Sequence, residues 1–259
     1  MRRFLTIVLA VALGALASGA CGGTVPDDTD ELQPSELLLK NQVIRSSAMK
    51  RDMKYTVWLP EGAEPRHDLP FLYLLHGYGD DNNAWADKGD LVAIVRNYVA
   101  SGGKPMVIVM PDALTSFYTG DFETYLHNEL MPQVEKAYRC NGKRAVAGLS
   151  MGGYGTIYNV LNHPGKFTCG YAMSPATSFG AVDLAALAKG EASPATVPHI
   201  TLESGTEDYV VGIDSVREFA AVLEAAGIRH ELIERSGAHT WPFWQGCLPK
   251  ALKKAGESF

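Results

Sequence analysis

Basic side chains are in short supply: 23 Lys and Arg stand against 29 Asp and Glu, for a formal charge of -6. A chain so balanced offers no basic face for a polyanion, which excludes nucleic acid as a partner. Four cysteines in 259 residues are too few for a scaffold held by disulfides. No apolar run reaches the roughly 20 residues that a membrane-spanning helix requires; the longest is Phe4 to Ala17. No internal repeat, nucleotide-binding motif or metal-binding motif is present, so neither a cofactor nor a metal is expected. With 46% hydrophobic and 20% charged residues, the bulk of the chain is neither disordered nor a coiled coil.

The short apolar run has its own meaning. Arg2 and Arg3 precede it and small residues, Ala15 to Ala20, follow it, the arrangement of a signal peptide over 1-20. Cys21, after Ser18-Gly19-Ala20, sits where bacterial lipoproteins are acylated, although Ser18 replaces the usual Leu. The expectation is an exported protein, held at a membrane only through lipidated Cys21 and facing the periplasm or cell exterior, or otherwise secreted. Residues 21-36 hold five acidic side chains, two prolines and no aromatic, the composition of a solvated tether. The folded domain is placed at 37-259. Cys140 and Cys169 lie near the starts of neighbouring strands, so a bridge between them is open to test, and the pairing of Cys140, Cys169 and Cys247 stays undecided.

Within the domain, apolar runs alternate with amphipathic stretches. Strands are expected at Gln42 to Ala48, Lys54 to Leu59, Pro70 to Leu75, Met106 to Met110, Arg144 to Leu149, Phe167 to Met173, His199 to Glu203 and Glu231 to Arg235. Helices are expected at Leu91 to Val99, Phe122 to Tyr138, Met151 to Leu161, Ala181 to Lys189 and Ile213 to Ala225. The alternation predicts an α/β fold, a mostly parallel sheet of about eight strands covered by helices on both faces, with the first two strands as an antiparallel hairpin.

Between a strand and a helix stands Gly148-Leu149-Ser150-Met151-Gly152-Gly153. A sharp turn there needs small residues at 148 and 152, and it lifts Ser150 above the sheet edge at a helix N-terminus, where negative charge is favoured. A serine hydroxyl becomes nucleophilic only beside a base. His239 follows the last strand, at the carboxyl edge where ligand crevices form. A carboxylate is needed to orient that imidazole. The preceding loop offers Asp208 as the candidate, with Glu207 and Asp214 near enough to compete. The backbone N-H groups of Met151 and Tyr78 are candidate donors to an oxyanion, Tyr78 because its loop, His76-Gly77-Tyr78-Gly79-Asp80-Asp81, is rich in glycine. His76 reads as a structural residue, and Asp80 and Asp81 as turn carboxylates. Trp241, Phe117 and Tyr118 are candidates for lining a substrate pocket.

Leu74-Leu75-His76-Gly77-Tyr78-Gly79-Asp80-Asp81 with Trp85, Val109-Met110-Pro111-Asp112, Gly148 to Gly153 and His239-Thr240-Trp241 together resemble the putative-esterase family of α/β-hydrolases. That family includes esterase D (S-formylglutathione hydrolase), feruloyl and acetyl-xylan esterases, enterochelin esterases and mycolyltransferases. The resemblance spans roughly residues 40 to 256. It implies the α/β-hydrolase fold, a Ser150-His239-Asp208 triad and an oxyanion hole of Tyr78 and Met151. Thr240 departs from the pattern, since relatives commonly carry Asp between the His and the Trp. The expected reaction is hydrolysis of short-chain or aromatic acyl esters, borne on small molecules or polysaccharides, through an acyl-enzyme. The alternatives are an acyltransferase with a sugar hydroxyl as acceptor and a noncatalytic binding protein. The latter is disfavoured because both Ser and His are present. The span between Met173 and Asp208 is too short for a large lid.

Overall fold

The computed structural model describes residues 37-60, 68-190 and 194-259; the expected signal peptide, the tether and Cys21 lie outside them. The described residues belong to one unit, Pro34–Phe259. Eight strands form one sheet: β1 (Leu37–Ser46), β2 (Arg51–Leu59), β3 (Leu69–Leu75), β4 (Val107–Pro111), β5 (Cys140–Leu149), β6 (Cys169–Met173), β7 (His199–Gly205) and β8 (His230–Arg235). Their order is β1-β2-β4-β3-β5-β6-β7-β8. β1 and β2 form the expected antiparallel hairpin, β2 runs antiparallel to β4, and every later pairing is parallel.

This order fixes where a crevice opens. From β3 the chain steps outward to β4, then returns to lay β5 on the other side of β3 and continues away from it. Loops leaving the carboxyl ends of β3 and β5 therefore diverge at a switch point. The register places Leu75 opposite Gly148, so the His76 and Ser150 loops start side by side.

Side-chain alternation along the strands builds two cores. Phe71, Tyr73 and Leu75 face one side with Val107, Val109 and Val146; Leu72 and Leu74 face the other with Ile108, Ala145, Ala147 and Leu149. The first side is covered by α5 (Met151–Asn162), α6 (Leu184–Lys189), α7 (Ile213–Ala225) and the segment from α3 (Asp121–Tyr125) to α4 (Met131–Ala137). The second is covered by α1 (Ala84–Asp87), α2 (Leu91–Ala100) and α8 (Trp241–Ser258). Helix α7 buries Val216, Phe219, Ala220 and Leu223, the stripe its periodicity predicts. Val216, Phe219 and Leu223 each contribute about 1.5–3 kcal/mol when fully buried.

Two helical segments differ from expectation, and the open question of cysteine pairing is answered. Residues Phe122 to Tyr138 are not one regular helix: a π-helical turn, Leu126–Leu130, separates α3 from α4. Pro132 is the second residue of α4, and a proline ring crowds the carbonyl four residues back, here within the π-helical turn, which the wider turn relieves. Helix α8 has no clean helical period in the sequence, because Pro242, Gly246 and Pro249 interrupt its pattern, yet its Phe243, Trp244, Cys247, Leu248 and Leu252 are buried. Finally, Cys140, Cys169 and Cys247 are all free. Val146 pairs with Gly170, so Cys140 lies about five positions, roughly 17 Å, from the level of Cys169. No bridge spans that gap.

Candidate active site

At the end of β5 the chain reverses into α5 through Ser150, which holds φ 54° and ψ -114°. Two close approaches make the turn feasible. A Cβ on Gly148 would lie 2.5 Å from the Gly152 carbonyl oxygen, and one on Gly152 would lie 2.5 Å from the Leu75 oxygen. Only glycine fits either place. The Ser150 N-H donates to the Met173 carbonyl at 2.9 Å, and its own carbonyl accepts from Tyr154 and Ala176 at 3.0 and 3.1 Å. The backbone of the turn is thereby held from both sides, leaving the hydroxyl at the N-terminus of α5.

His239 arrives from the loop between β8 and α8. Its Nε2 lies 2.9 Å from Ser150 Oγ, and its Nδ1 lies 2.8 Å from Asp208 Oδ2. The network is consistent with one tautomer: Nδ1-H donates to Asp208, and Nε2 accepts the serine O-H. Asp208 follows β7 and is buried. Its other oxygen accepts N-H bonds from Val210 and Val211 at 3.1 and 3.2 Å. Burial alone would raise the Asp208 pKa. The hydrogen bond and charge of His239, with bonds from Val211 and the Ser174 hydroxyl, outweigh it and hold the carboxyl below its ordinary range, as an anion.

The two competing carboxylates are engaged elsewhere. Asp214 pairs with Arg217 at 2.8 Å. Glu207 accepts from the Gly237 N-H and from the Ser236 hydroxyl, fastening the histidine loop to the acid loop. Below them Glu203 accepts from Arg235 and Lys250, each at 2.5 Å, and from the Tyr171 hydroxyl. This buried carboxylate ties β6, β7, β8 and α8 together under Asp208 and His239. Burial pushes its pKa up, but the bonds from Lys250, Tyr171 and Arg235 prevail and lower it.

Sequence reasoning missed two residues of this surround. The Trp244 ring stands edge-on to His239, with centroids 4.9 Å apart, and its indole N-H donates to Ser174 Oγ at 3.2 Å. Ser174 directly follows β6, at the same carboxyl edge as the other loops, and that position was the available signal.

The His76 to Asp81 loop lies over the serine. A Cβ on Gly77 would stand 2.6 Å from Leu149 Cδ1 and 3.5 Å from Ser150 Cβ, so a side chain at 77 would press on the end of the Leu149 side chain beside the serine. Asp80 N-H donates to the Gly77 carbonyl at 3.2 Å, closing a turn with Tyr78 and Gly79 at its corners. Met151 is the first residue of α5, so no carbonyl within the helix receives its N-H.

Of the three pocket candidates, one is corrected. Tyr118 is fully buried: its hydroxyl donates to the His76 carbonyl at 2.9 Å and its ring packs edge-on against Phe122. A phenol whose hydroxyl finds a buried acceptor turns inward, so Tyr118 supports the loop from beneath and lines no open pocket. Phe117 is half-buried, between the exposed ring of Tyr78 and Tyr154. Trp241 is half-buried and packs edge-on against Trp85 and Trp244, at 5.3 and 5.5 Å.

Comparison with known proteins gives one family match: the family model described as Putative esterase matches residues 46–255. An endo-1,4-beta-xylanase/feruloyl esterase of Xylanibacter ruminicola is 31% identical over an alignment of 204 residues that covers 73% of this chain but 26% of that protein. This chain thus spans about a quarter of that relative. An acetyl esterase of Caldicellulosiruptor saccharolyticus is 25% identical over 228 residues, covering 72% of this chain and 83% of the relative. Among solved structures, a ferulic acid esterase superposes with a TM-score of 0.80 at 26% identity, over 87% of this chain and 99% of its own.

Proposed function

The chain belongs to the Putative esterase family of α/β-hydrolases, and from that premise we propose that it is a serine carboxylesterase acting on short-chain or aromatic acyl esters. The observation that carries this reading is the unbroken hydrogen-bonded series Asp208, His239, Ser150, at 2.8 and 2.9 Å. Ser150 attacks the ester carbonyl as His239 Nε2 takes the hydroxyl proton. The Asp208 carboxylate stabilises the imidazolium that results. The N-H groups of Tyr78 and Met151 receive the oxyanion, on which negative charge develops in a site partly screened from water. His239 then returns its proton to the leaving alcohol, giving an acyl-enzyme on Ser150. Water, deprotonated by the same histidine, releases the acid.

Support for the acyl class comes from two directions. The relatives and the superposed structure bear the names feruloyl, acetyl and ferulic acid esterase, and the half-buried rings of Phe117 and Trp241 suit a flat aromatic group. The test is Ser150→Ala. Hydrolysis of methyl ferulate and p-nitrophenyl acetate should fall by about three or more orders of magnitude, and labelling by a fluorophosphonate probe should vanish. His239→Ala should be nearly as damaging, with the double variant no worse than either. Activity of Ser150→Ala within tenfold of wild type would remove this mechanism.

For location, the sequence supports an exported enzyme tethered by acylated Cys21. Cys21→Ser should move the protein from the membrane to the soluble fraction; unchanged fractionation would defeat the anchor.

A further inference from the structure

The peptide unit between Gly77 and Tyr78 has two functional ends. One is the Tyr78 N-H, the proposed oxyanion donor; the other is the Gly77 carbonyl. That oxygen lies 2.7 Å from His76 Nδ1 and accepts the Asp80 N-H at 3.2 Å. The opposite ring nitrogen, His76 Nε2, accepts the Ala113 N-H at 2.8 Å. A nitrogen that accepts a hydrogen bond carries no proton, so the proton of this neutral imidazole is on Nδ1 and is donated to Gly77. His76 is held at both ring nitrogens and at its carbonyl. Besides the two ring bonds, its carbonyl accepts the Tyr118 hydroxyl, and the ring is 1% exposed. Burial also lowers its pKa, in keeping with the neutral form.

An amide is planar, so pinning its oxygen aims its N-H on the far side. A donor on the carbonyl also draws charge from the amide nitrogen and strengthens the N-H as a donor, the cooperative effect of hydrogen bonds in series. We propose that His76 is a positioning residue for the oxyanion hole: through Nδ1-H it fixes and polarises the Gly77-Tyr78 peptide, and the loop after β4, through Ala113 and Tyr118, holds His76 in the tautomer that does so. The inference rests on Tyr78 N-H being an oxyanion donor.

Two isosteres separate the ring's two bonds. The amide nitrogen of Asn falls near Nδ1, and the amide end of Gln falls near Nε2. His76→Gln keeps an acceptor for Ala113 and loses the donor to Gly77; kcat should drop about 10- to 100-fold with KM within threefold, and the affinity for phenylboronic acid, whose adduct with serine mimics the tetrahedral intermediate, should drop in parallel. His76→Asn keeps the donor and should recover most of kcat despite a comparable or larger loss in melting temperature. Wild-type kcat in His76→Gln, or equal loss in both variants in step with their melting temperatures, would overturn the proposal. If either isostere fails to fold, Tyr118→Phe, which removes only the hydroxyl on the His76 carbonyl, should lower kcat several-fold at unchanged KM, and an unchanged kcat would count against it.

Failure of the underlying reading is distinguished at Tyr78. Gly79 has φ 78° at the third position of its turn, the class of turn that accepts proline at the second. Tyr78→Pro therefore deletes the N-H, and Tyr78→Ala removes the ring but keeps it. Equal kcat in these two would end the oxyanion assignment itself. A Tyr78→Pro far below Tyr78→Ala, with His76→Gln at wild-type kcat, would overturn the role of His76 alone.

Discussion

Ser150 occupies a backbone conformation, φ 54° and ψ -114°, that costs a non-glycine residue about 1–3 kcal/mol. Its neighbours impose it: the closely packed glycines at 148 and 152 leave no room for a relaxed turn. Gly148→Ala tests this, because its methyl would meet the Gly152 backbone, which cannot rotate away. We expect a destabilisation of about 1–3 kcal/mol and a fall of at least 100-fold in kcat/KM as the serine shifts; a variant melting and turning over like wild type would show that the elbow yields. Ser150, Asp208 and His239 could be picked from sequence because each lies in the loop that leaves a strand at one sheet edge, and the three side chains do meet there. Trp244 and the tautomer of His76 carry no such mark, and Ser174, although it follows β6 at that same edge, lacks the flanking motif that singles out Ser150. Their roles arise from partners far away in sequence, such as Ala113 for His76. Phe117 and Tyr118 are adjacent aromatics, both with positive φ, and nothing in their order tells which turns inward.

Elements were legible where the period of the apolar residues was clean. The strands and α7 have such a period; α8 does not, because two prolines and a glycine break it, and the turn at Leu126–Leu130 answers to a single proline downstream. That π-helical turn carries His127, whose Nε2-H donates to Asn159 at 2.7 Å while its ring lies 3.9 Å from that of His163. Burial first, then the charges of His163 and Lys166, push its pKa down to about 4, against the smaller opposing pull of Asn159 and Glu123. A histidine in the unfolded chain titrates near 6.5. Between those values the unfolded state binds a proton that the folded state does not, so His127 contributes its full stability above about pH 6.5 and loses it as pH falls toward 4. The total is about 3 kcal/mol. Urea unfolding at pH 7 and pH 4.5 should show a smaller drop for His127→Gln than for wild type. Equal drops would mean that His127 titrates as it does in water.

At the scale of the molecule, the parallel sheet and its hairpin edge followed from the alternation of patterns, whereas the strand order, with β4 outside β3, has no local signature. The order matters because it opens the crevice between the β3 and β5 loops. Around it Tyr78, Phe179 and Tyr209 are exposed, and among the described residues between Met173 and Asp208 only α6 and β7 are regular elements. No large apolar cover is built from that span. A buried methylene would contribute about 0.8 kcal/mol, and without a cover little of that gain is available to a long acyl chain. Across p-nitrophenyl esters kcat/KM should therefore decline from C2 or C4 to C12. A steady rise with chain length, or activation at an oil-water interface, would reveal a lipid-binding cleft.

The parts of the site come from β3, β5, β7 and β8, in that order along the chain. Tyr78, Ser150, Asp208 and His239, in their proposed roles, therefore emerge in that order from a ribosome, and the proposed base comes last. A nascent chain that has made Ser150 still lacks His239. Even after His239 is synthesised, its alignment waits on the docking of β8 against β7 and on the Glu203 contacts that join them. On the proposed mechanism, an unfinished chain therefore lacks its base until the last strand and loop are made: latency is written into the order of the strands.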